Sequence, residues 1–312
     1  MTASRSMGDV LESEDRGLRK LLDLTAQLSF QIVDQIPKAL TPTGTEGTNI
    51  YGEKQTQIDY WSNELLVQKL LRSGLVKQVA SEELEEVKKS DKDGEYSVVL
   101  DPLDGSSNLS TDNLVGTIIG IYHDKDLPAK GRDLMASLYY LYGPYLECIL
   151  ATNIGVHSLV GAGRGRGGDR YIGSGEPIKL PDKGTIYGVG GSHEKWTPSM
   201  KSFVDQLEKR KLKMRYGGSF VGDYNQVLHG GGFFAYPSLI DAPNGKYRLQ
   251  FESNPVGFIT IKAGGKASDG KMNILDINPT GVDQRVPTYV GNADLVSEYE
   301  RLMLEKPVVQ NS

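Results

Sequence analysis

The stretch VVLDPLDGSSNLS, Val98–Ser110, places two aspartates at the end of an apolar run that is typical of a buried strand. Asp101 and Asp104 come directly before a glycine and two serines. An ionised carboxylate that leaves water without a partner is costly in free energy, so the pair must be bound or solvated. Two interpretations follow: the carboxylates hold a metal ion, or they belong to a type I turn with Pro102 at its second position.

The residues that follow the two aspartates in sequence favour the binding of an anion next to the metal ion. Gly105, Ser106 and Ser107 offer successive backbone N–H groups, and a helix that began there would add its dipole to the attraction. The carbonyl of Leu103 lies between the two aspartates and supplies a further oxygen. Carboxylates for a cation next to amides for a phosphate predict a two-sided metal and phosphate site.

Acidic residues recur at the edges of other apolar segments. The stretches GEKQTQID, ASEELEE, DPLDG and QFESNP carry the candidate carboxylates Glu53, Asp59, Glu82, Glu83, Asp101, Asp104 and Glu252. Hard divalent cations prefer carboxylate and carbonyl oxygens, and Mg²⁺ commonly takes substrate phosphates as further ligands. The four histidines are scattered and form no Cys/His cluster, which argues against zinc.

Composition bounds the class of protein. The 312 residues are 38% hydrophobic and 24% charged, which is typical of a globular protein with a sizeable core. A formal net charge of -5 argues against a nucleic-acid partner. Cys148 is the single cysteine, so no intramolecular disulfide forms, and its apolar surroundings predict a buried, inert thiol. No apolar run is long enough to span a membrane and no targeting segment is visible, so a cytoplasmic location is expected.

The first half, residues 1–177, is predicted to form one β-rich domain flanked by helices. We expect a loose tail over residues 1–14, a helix that ends at Pro37, and a second helix that ends at Gly74. The segments LVKQVAS, YSVVL, VGTIIGIYHD, LMASLYYLYG and YLECILAT are predicted strands. The glycine-dense residues 161–175 lack the lysine of a phosphate loop and are interpreted as a hairpin connection.

The second half, residues 178–312, alternates strands and helices and is predicted to be a smaller α/β domain. The predicted strands are GTIYGVGG, GGFFAYP, YRLQFES and PTYVG. One predicted helix begins after Thr197 as N-cap, with Pro198 in its first turn, and a closing helix is capped by Asn292. The overall prediction is a mixed α+β and α/β chain.

Taken together, these blocks resemble the class I fructose-1,6-bisphosphatase family, within the wider group of magnesium-dependent, lithium-sensitive sugar and inositol phosphatases. The resemblance rests on SEE, DPLDGSSN and GTIIGIY, followed in family order by MRYGGSFVGD, GGFFAYP, NGKYRLQFESNP, IKAGG and DINPTGVDQRVPTYVG. It implies the layered α-β-α-β-α sugar phosphatase fold. It also implies metal-dependent hydrolysis of the 1-phosphate of fructose 1,6-bisphosphate to fructose 6-phosphate and phosphate, as in gluconeogenesis or carbon fixation.

The resemblance implies a role for each matching position. Asp59 and Glu83 match the pair that positions and deprotonates the attacking water. The implied metal ligands are Glu82, Asp101, the Leu103 carbonyl, Asp104 and Glu252, with Glu53 at the position of a third-metal aspartate. The implied substrate-binding residues are Gly105, Ser106, Ser107, Arg215, Tyr216, Ser219, Tyr236, Lys246 and Arg248. Two to three Mg²⁺ per active site are expected, with Mn²⁺ as the alternative. Because relatives receive the arginine from a neighbouring subunit, a homo-oligomer, dimer or tetramer, is implied, with Arg215 crossing the interface.

Some positions depart from the family pattern and leave alternatives open. Relatives carry Asn-Glu-Gly-Tyr where this chain has the residues Gly190–His193, so two side chains expected at the distal phosphate are missing. A sedoheptulose-1,7-bisphosphatase, or an enzyme acting on both sugars, is therefore an alternative. An inositol monophosphatase-like enzyme and a non-catalytic binding protein are more remote ones, because the carboxylate set is intact and Glu252 stands where the former would have a Trp-Asp block.

Regulation is also expected to differ from that of the animal relatives. Their AMP site uses a Thr-Gly-Glu loop, a Lys-Tyr pair and an arginine, which here correspond to the residues Asp15–Gly17, Glu95–Tyr96 and Tyr122–His123. Only the tyrosine of that set is kept, and Glu95 would repel a phosphate. We expect weak or absent inhibition by AMP.

Overall fold

In the residues that it describes, the computed structural model contains a nine-stranded sheet, a five-stranded sheet, a two-stranded hairpin and seven α-helices. It describes residues 4–39, 57–162 and 170–304 in full, and the backbone of residues 47–48 and 54–55. The predicted third-metal residue, Glu53, lies outside these ranges.

The first half forms a nine-stranded sheet. In chain order its strands and the small β2–β3 hairpin are β1 Arg5–Ser6, β2 Gly47–Thr48, β3 Lys54–Gln55, β4 Val76–Ser81, β5 Lys88–Lys89, β6 Tyr96–Asp104, β7 Val115–His123, β8 Leu134–Tyr142, β9 Leu146–Thr152, β10 Gly155–Gly161 and β11 Tyr171–Gly173. The sheet runs in the order β1-β11-β10-β9-β8-β7-β6-β4-β5. Its strands pair antiparallel except for β4 and β6, which are parallel neighbours. Both therefore end at the same edge of the sheet, which brings the carboxylates behind them together.

Three helices cover one face of this sheet: α1 Met7–Val10, α2 Arg16–Ala39 and α3 Gln57–Arg72. Their apolar side chains, such as Leu18 and Leu66, join one buried cluster with Val98 and Leu100 of β6. Val99 points to the opposite face and joins a second cluster, as the two-residue period of a strand requires.

The second half forms a five-stranded sheet in the order β13-β12-β14-β16-β15. Its elements are β12 Ile186–Val189, α4 Pro198–Lys209, β13 Lys213–Met214, α5 Phe220–Gly230, β14 Gly232–Tyr236, α6 Asn254–Lys262, β15 Lys266–Ser268, β16 Thr288–Gly291 and α7 Ala293–Leu304. Helices α5 and α6 lie between the two sheets, since their buried residues share a cluster with both. Helices α4 and α7 pack on the far side of the smaller sheet. The resulting layers, α-β-α-β-α, confirm the predicted fold class.

Four local predictions need correction. The tail is not loose over its described part: Arg5–Ser6 pairs with β11, and Met7 is buried. Helix α2 continues through Pro37 to Ala39, since a proline near a helix end removes few backbone hydrogen bonds. The predicted strand YRLQFES is instead a π-helical turn, Leu249–Ser253, that leads into α6. The side chain of Asn292, predicted to cap α7, instead accepts the Gly232 N–H at the start of β14 and donates to the Pro181 carbonyl, so it joins β14 to the segment before β12.

The glycine-dense residues 161–175 are predicted to connect a hairpin. Strands β10 and β11, on either side of residues 162–170, pair antiparallel as in a hairpin, while residues 163–169 are outside the described ranges. Cys148 is a buried free thiol, as expected. In the segments that the structure describes, no helix combines the length and apolarity needed to cross a membrane.

Candidate metal and phosphate site

A pocket of about 340 Å³ opens where β4 and β6 end. The pocket is lined by most of the residues that the sequence analysis proposes for the site, and by Gly218 and Tyr247, which it does not propose. The lining residues are Glu82, Glu83, Asp101, Leu103, Asp104, Gly105, Ser106, Ser107, Gly218, Lys246, Tyr247, Arg248 and Glu252.

Three carboxylates converge on one side of this pocket. Oxygens of Glu82, Asp101 and Glu252 lie within 4.8 Å of one another. The pairing of β4 with β6 explains the first two, because Ser81 faces Leu100 and the Glu82 N–H donates to the Leu100 carbonyl over 3.0 Å. Glu252 comes from the π-helical turn before α6.

Burial and mutual repulsion make this cluster unfavourable without a cation. Burial raises the pKa of Asp101 well above its usual range, and the charge of Glu82 raises it further. The pKa of Glu252 is raised well above its usual range by the same two causes. A bound cation would offset the cost of ionising these neighbouring carboxylates. Because they offer only oxygen ligands, the cluster fits a hard divalent cation. The residues present therefore fit the expected metal.

Arg248 supplies positive charge at the same place. Its side chain is 2% exposed, and its guanidinium forms an ion pair with Glu82. Its backbone N–H donates to Oε2 of Glu252 over 2.6 Å. One residue thus contacts two of the three carboxylates, a link across 166 positions of sequence that the motifs do not predict.

Asp104 is held differently from the other carboxylates. Its Oδ2 accepts hydrogen bonds from the Ser219 hydroxyl over 2.6 Å and from the Val221 N–H over 2.8 Å. Burial raises the pKa of Asp104, and these two hydrogen bonds at the start of α5 counteract part of the increase. Ser219, predicted to bind substrate, therefore contacts Asp104 in this structure. A metal role for Asp104 would depend on the lone pairs that remain.

A tight turn follows Asp104 and forms the second side of the pocket. Gly105 has φ of +74°, and a Cβ there would lie 2.5 Å from the Cβ of Ser219, so glycine is required twice over. A 3₁₀ helix, Ser106–Thr111, begins immediately afterwards. Ser106 and Ser107 line the same pocket as the three carboxylates. A phosphate bound by this turn would therefore lie close to the cation cluster.

Of the residues expected at the distal end of the substrate, Lys246 lines the pocket, whereas Tyr216, Tyr236 and Arg215 do not. The Nζ of Lys246 lies 5.6 Å from the centre of the Tyr236 ring. Tyr216 is 44% exposed, and burial of its hydroxyl raises its pKa to about 12. Arg215 is exposed, and its Nη1 donates to the Met214 carbonyl over 3.0 Å instead of reaching the pocket of its own chain.

The two predicted proton acceptors lie on adjoining elements. Glu83 lines the pocket, and Asp59 is buried in the first turn of α3. A hydrogen bond of 2.7 Å from Ser81 to Asn63 fastens α3 to the end of β4, directly before the acidic pair. Asp59 itself is not among the residues that line the pocket.

Sequence reasoning missed Gly218, Val221 and Tyr247. Gly218 has φ of +87° and lines the pocket, which only the doubled glycine in RYGGSF signals. Val221 contributes a backbone N–H, for which the sequence offers no side-chain signal. Tyr247 is buried, lines the pocket and stacks on Phe220 with ring centres 4.2 Å apart.

Converging carboxylates that fit a divalent cation, in one pocket with a turn that suits a phosphate, indicate the class of metal-dependent phosphatases. Comparison with known proteins narrows this class. Residues 7–163 match the family model "Fructose-1-6-bisphosphatase, N-terminal domain", and residues 180–304 match "Fructose-1-6-bisphosphatase, C-terminal domain". The chain therefore belongs to the class 1 fructose-1,6-bisphosphatase family.

Individual relatives agree with this placement. The chain is 43% identical to the class 1 fructose-1,6-bisphosphatase of Geobacter sulfurreducens, over 80% of this chain and 79% of the relative. It is 42% identical to the enzyme of the same name from Halobacterium salinarum, over 80% and 85%. Among solved structures, the holo form of Leishmania major fructose-1,6-bisphosphatase superposes with a TM-score of 0.89 at 28% identity. That match covers 97% of this chain and all of the other.

Proposed function

We propose that this chain hydrolyses the 1-phosphate of fructose 1,6-bisphosphate and releases fructose 6-phosphate and inorganic phosphate. Family membership supports the reaction. The observation that carries it to this chain is that the Glu82, Asp101 and Glu252 carboxylates converge in the same pocket that the turn at Gly105 lines.

The metal would be held by the three converging carboxylates, with the Leu103 carbonyl, Asp104 and Glu53 as further candidate ligands. Mg²⁺ is the ion that this oxygen donor set favours, in two to three copies, with Mn²⁺ as the alternative. When bound, such ions lower the pKa of a coordinated water and offset the charge that develops on the attacking and leaving oxygens.

The protein's own groups then position the substrate and accept the proton. The N–H groups and hydroxyls of the turn at Gly105–Ser107 hold the phosphate that is to be transferred. Water attacks phosphorus in line, the new P–O bond forms, and the bond to the sugar O1 breaks. Glu83, with Asp59 as the alternative, accepts one proton of the attacking water, and the sugar oxygen takes up a proton from solvent as it leaves as an alcohol.

The distal end of the sugar phosphate is assigned to Tyr216, Tyr236 and Lys246. Arg215 completes this end from a neighbouring subunit, so the working enzyme is a homo-oligomer. The exposure of Arg215, together with its local bond to Met214, supports donation outward instead of into its own pocket. A cytoplasmic location, and the domain boundary near residue 178, remain predictions of the sequence.

A panel of substrates tests the proposal. Phosphate release is measured from fructose 1,6-bisphosphate, sedoheptulose 1,7-bisphosphate and inositol 1-phosphate, with Mg²⁺ and with chelator. Metal-dependent release that is fastest on fructose 1,6-bisphosphate is expected. A clear preference for the seven-carbon sugar would change the assigned substrate, and no release from any of the three would reject the catalytic assignment.

A further inference from the structure

The backbone directly after β12 lies against an aromatic ring of the distal site. A Cβ added to Gly190 would lie 2.6 Å from Cε2 of Tyr236 and closer still to Cδ2. Real Cβ atoms do not approach other atoms so closely. Any side chain at position 190 would therefore force either the backbone or the Tyr236 ring to move.

The backbone at this point is fixed from both sides. The Gly190 N–H donates to the Ala235 carbonyl over 2.8 Å, which extends the pairing of β12 with β14 by one residue. The Gly190 carbonyl accepts a hydrogen bond of 2.8 Å from the indole N–H of Trp196, which is 7% exposed. Moving this backbone would break two largely buried hydrogen bonds, so the ring is the part that would yield.

The Tyr236 ring, which would have to move, lies next to Lys246, a residue that lines the pocket. Lys246 Nζ lies 5.6 Å from the centre of the Tyr236 ring, a cation–π distance, and Lys246 lines the pocket with the phosphate turn. Tyr236 also packs edge-on against Tyr247, with ring centres 5.2 Å apart. The contacts run from Gly190 through the Tyr236 ring to the ammonium group of Lys246.

We propose that Gly190 is a positioning residue for substrate recognition. By lacking a side chain it lets the Tyr236 ring lie against the backbone, where the ring holds Lys246 toward the distal phosphate of the sugar. The inference rests on the proposed function, which already places Tyr236 and Lys246 at the distal phosphate, and it adds the bare backbone of Gly190 as the feature that lets the ring lie there.

Steady-state kinetics of Gly190→Ala tests the proposal. With fructose 1,6-bisphosphate we expect KM to rise about tenfold, the effect of weakening one charge-assisted contact, while kcat changes little. With fructose 1-phosphate, which has no distal phosphate, KM should stay at the wild-type value. Gly230→Ala is the matched control, because a Cβ there would meet only Thr185 and Ile186 at ordinary distances of 3.7 and 3.8 Å.

A double-mutant cycle separates positioning from a general loss of structure. Tyr236→Ala removes the ring, so it should itself raise KM for the bisphosphate, and adding Gly190→Ala to it should change KM little further. This second arm also holds if Gly190→Ala alone folds poorly, since the double variant has no ring to displace. Additive effects, or equal KM increases on both substrates, would overturn the inference. If the wild type fails to hydrolyse the bisphosphate at all, the proposed function has failed instead.

Discussion

Arg248 and Glu82 form an ion pair in the lining of the pocket, with the Arg248 side chain 2% and the Glu82 side chain 13% exposed. The two residues lie on different halves of the chain, and Glu82 is also one of the three converging carboxylates. A buried carboxylate beside two others needs positive charge, and in the protein alone Arg248 provides part of it. The pair therefore connects the acidic cluster of the first half to the π-helical segment of the second.

Replacing Arg248 by methionine should destabilise the metal-free protein. The change leaves Glu82 without its buried partner, which costs about 3 kcal/mol. Chemical denaturation in chelator measures the loss, and Arg248→Lys, which keeps the charge, is the matched control. The loss should shrink in excess Mg²⁺, because the cation then compensates Glu82. A loss of stability that is the same in chelator and in Mg²⁺ would contradict the shared-charge interpretation.

Asp101→Asn should abolish turnover while leaving the fold intact. Losing a ligand from the cation cluster removes several kcal/mol of transition-state stabilisation, equivalent to a decrease of about a thousandfold in kcat. Because burial and Glu82 raise the pKa of Asp101, its charge destabilises the metal-free fold. The variant should therefore unfold at the same or a higher temperature in chelator, and Mg²⁺ should raise its melting temperature less than that of the wild type. Retained wild-type activity would show that Asp101 is not a ligand.

A polar cluster whose residues do not line the pocket should make stability depend on pH. Glu147 is buried and accepts hydrogen bonds from Ser158 over 2.6 Å, Asn225 over 2.9 Å and His229 over 3.1 Å. Burial alone would raise the pKa of Glu147, but these hydrogen bonds outweigh it and the pKa is lowered. The cluster joins β9 and β10 to α5, the helix whose first turn holds Asp104.

The sign of the effect follows from the lowered pKa. A carboxyl whose pKa falls on folding stabilises the fold above its unfolded pKa, and the stabilisation is lost as the pH falls through its folded pKa. The free energy of unfolding of the wild type should exceed that of Glu147→Gln by roughly 1–3 kcal/mol near neutral pH. This difference should shrink below about pH 4.5. Urea unfolding of both proteins at several pH values measures this. A difference that stays constant from neutral to acidic pH would contradict the assignment.

AMP should not inhibit this enzyme through the site used by animal relatives. In this chain the Tyr96 hydroxyl donates to Asp15 over 2.5 Å, and the same carboxylate oxygen accepts the Leu18 N–H over 2.9 Å at the start of α2. A carboxylate thus occupies the helix N-terminus that a phosphate would need. Activity at about 1 mM AMP, against a no-nucleotide control, should be unchanged, and half-inhibition at micromolar concentrations would contradict the prediction.

Much of the fold was predictable because local patterns matched the final environment. The buried strands of the first sheet were predictable from short β-rich runs separated by turns, as around Val98 and Ile118. The segment YRLQFES was misread because Tyr247, Leu249 and Phe251 alternate as in a strand. Every residue from Tyr247 to Ser253 is buried, so alternation there carries no information about which face is exposed.

The candidate site was predictable where its residues are close in sequence and not where they meet through the fold. DPLDG and SEE are each recognisable from the sequence, and the parallel pairing of β4 with β6 brings the two motifs together. The contacts of Asp104 with Ser219 and of Glu82 with Arg248 cross 115 and 166 positions, so composition and periodicity contain no signal for them. They depend on the packing of α5 and the π-helical turn between the two sheets.

The most direct measurement is ³¹P NMR of the products formed from fructose 1,6-bisphosphate in Mg²⁺, with Asp101→Asn as the matched control. The phosphate turn beside the carboxylates predicts loss of the 1-phosphate alone, so the wild type should give fructose 6-phosphate and inorganic phosphate. The variant should give neither at a comparable rate. Fructose 1-phosphate as the product, or equal turnover by the variant, would contradict the assignment of this pocket.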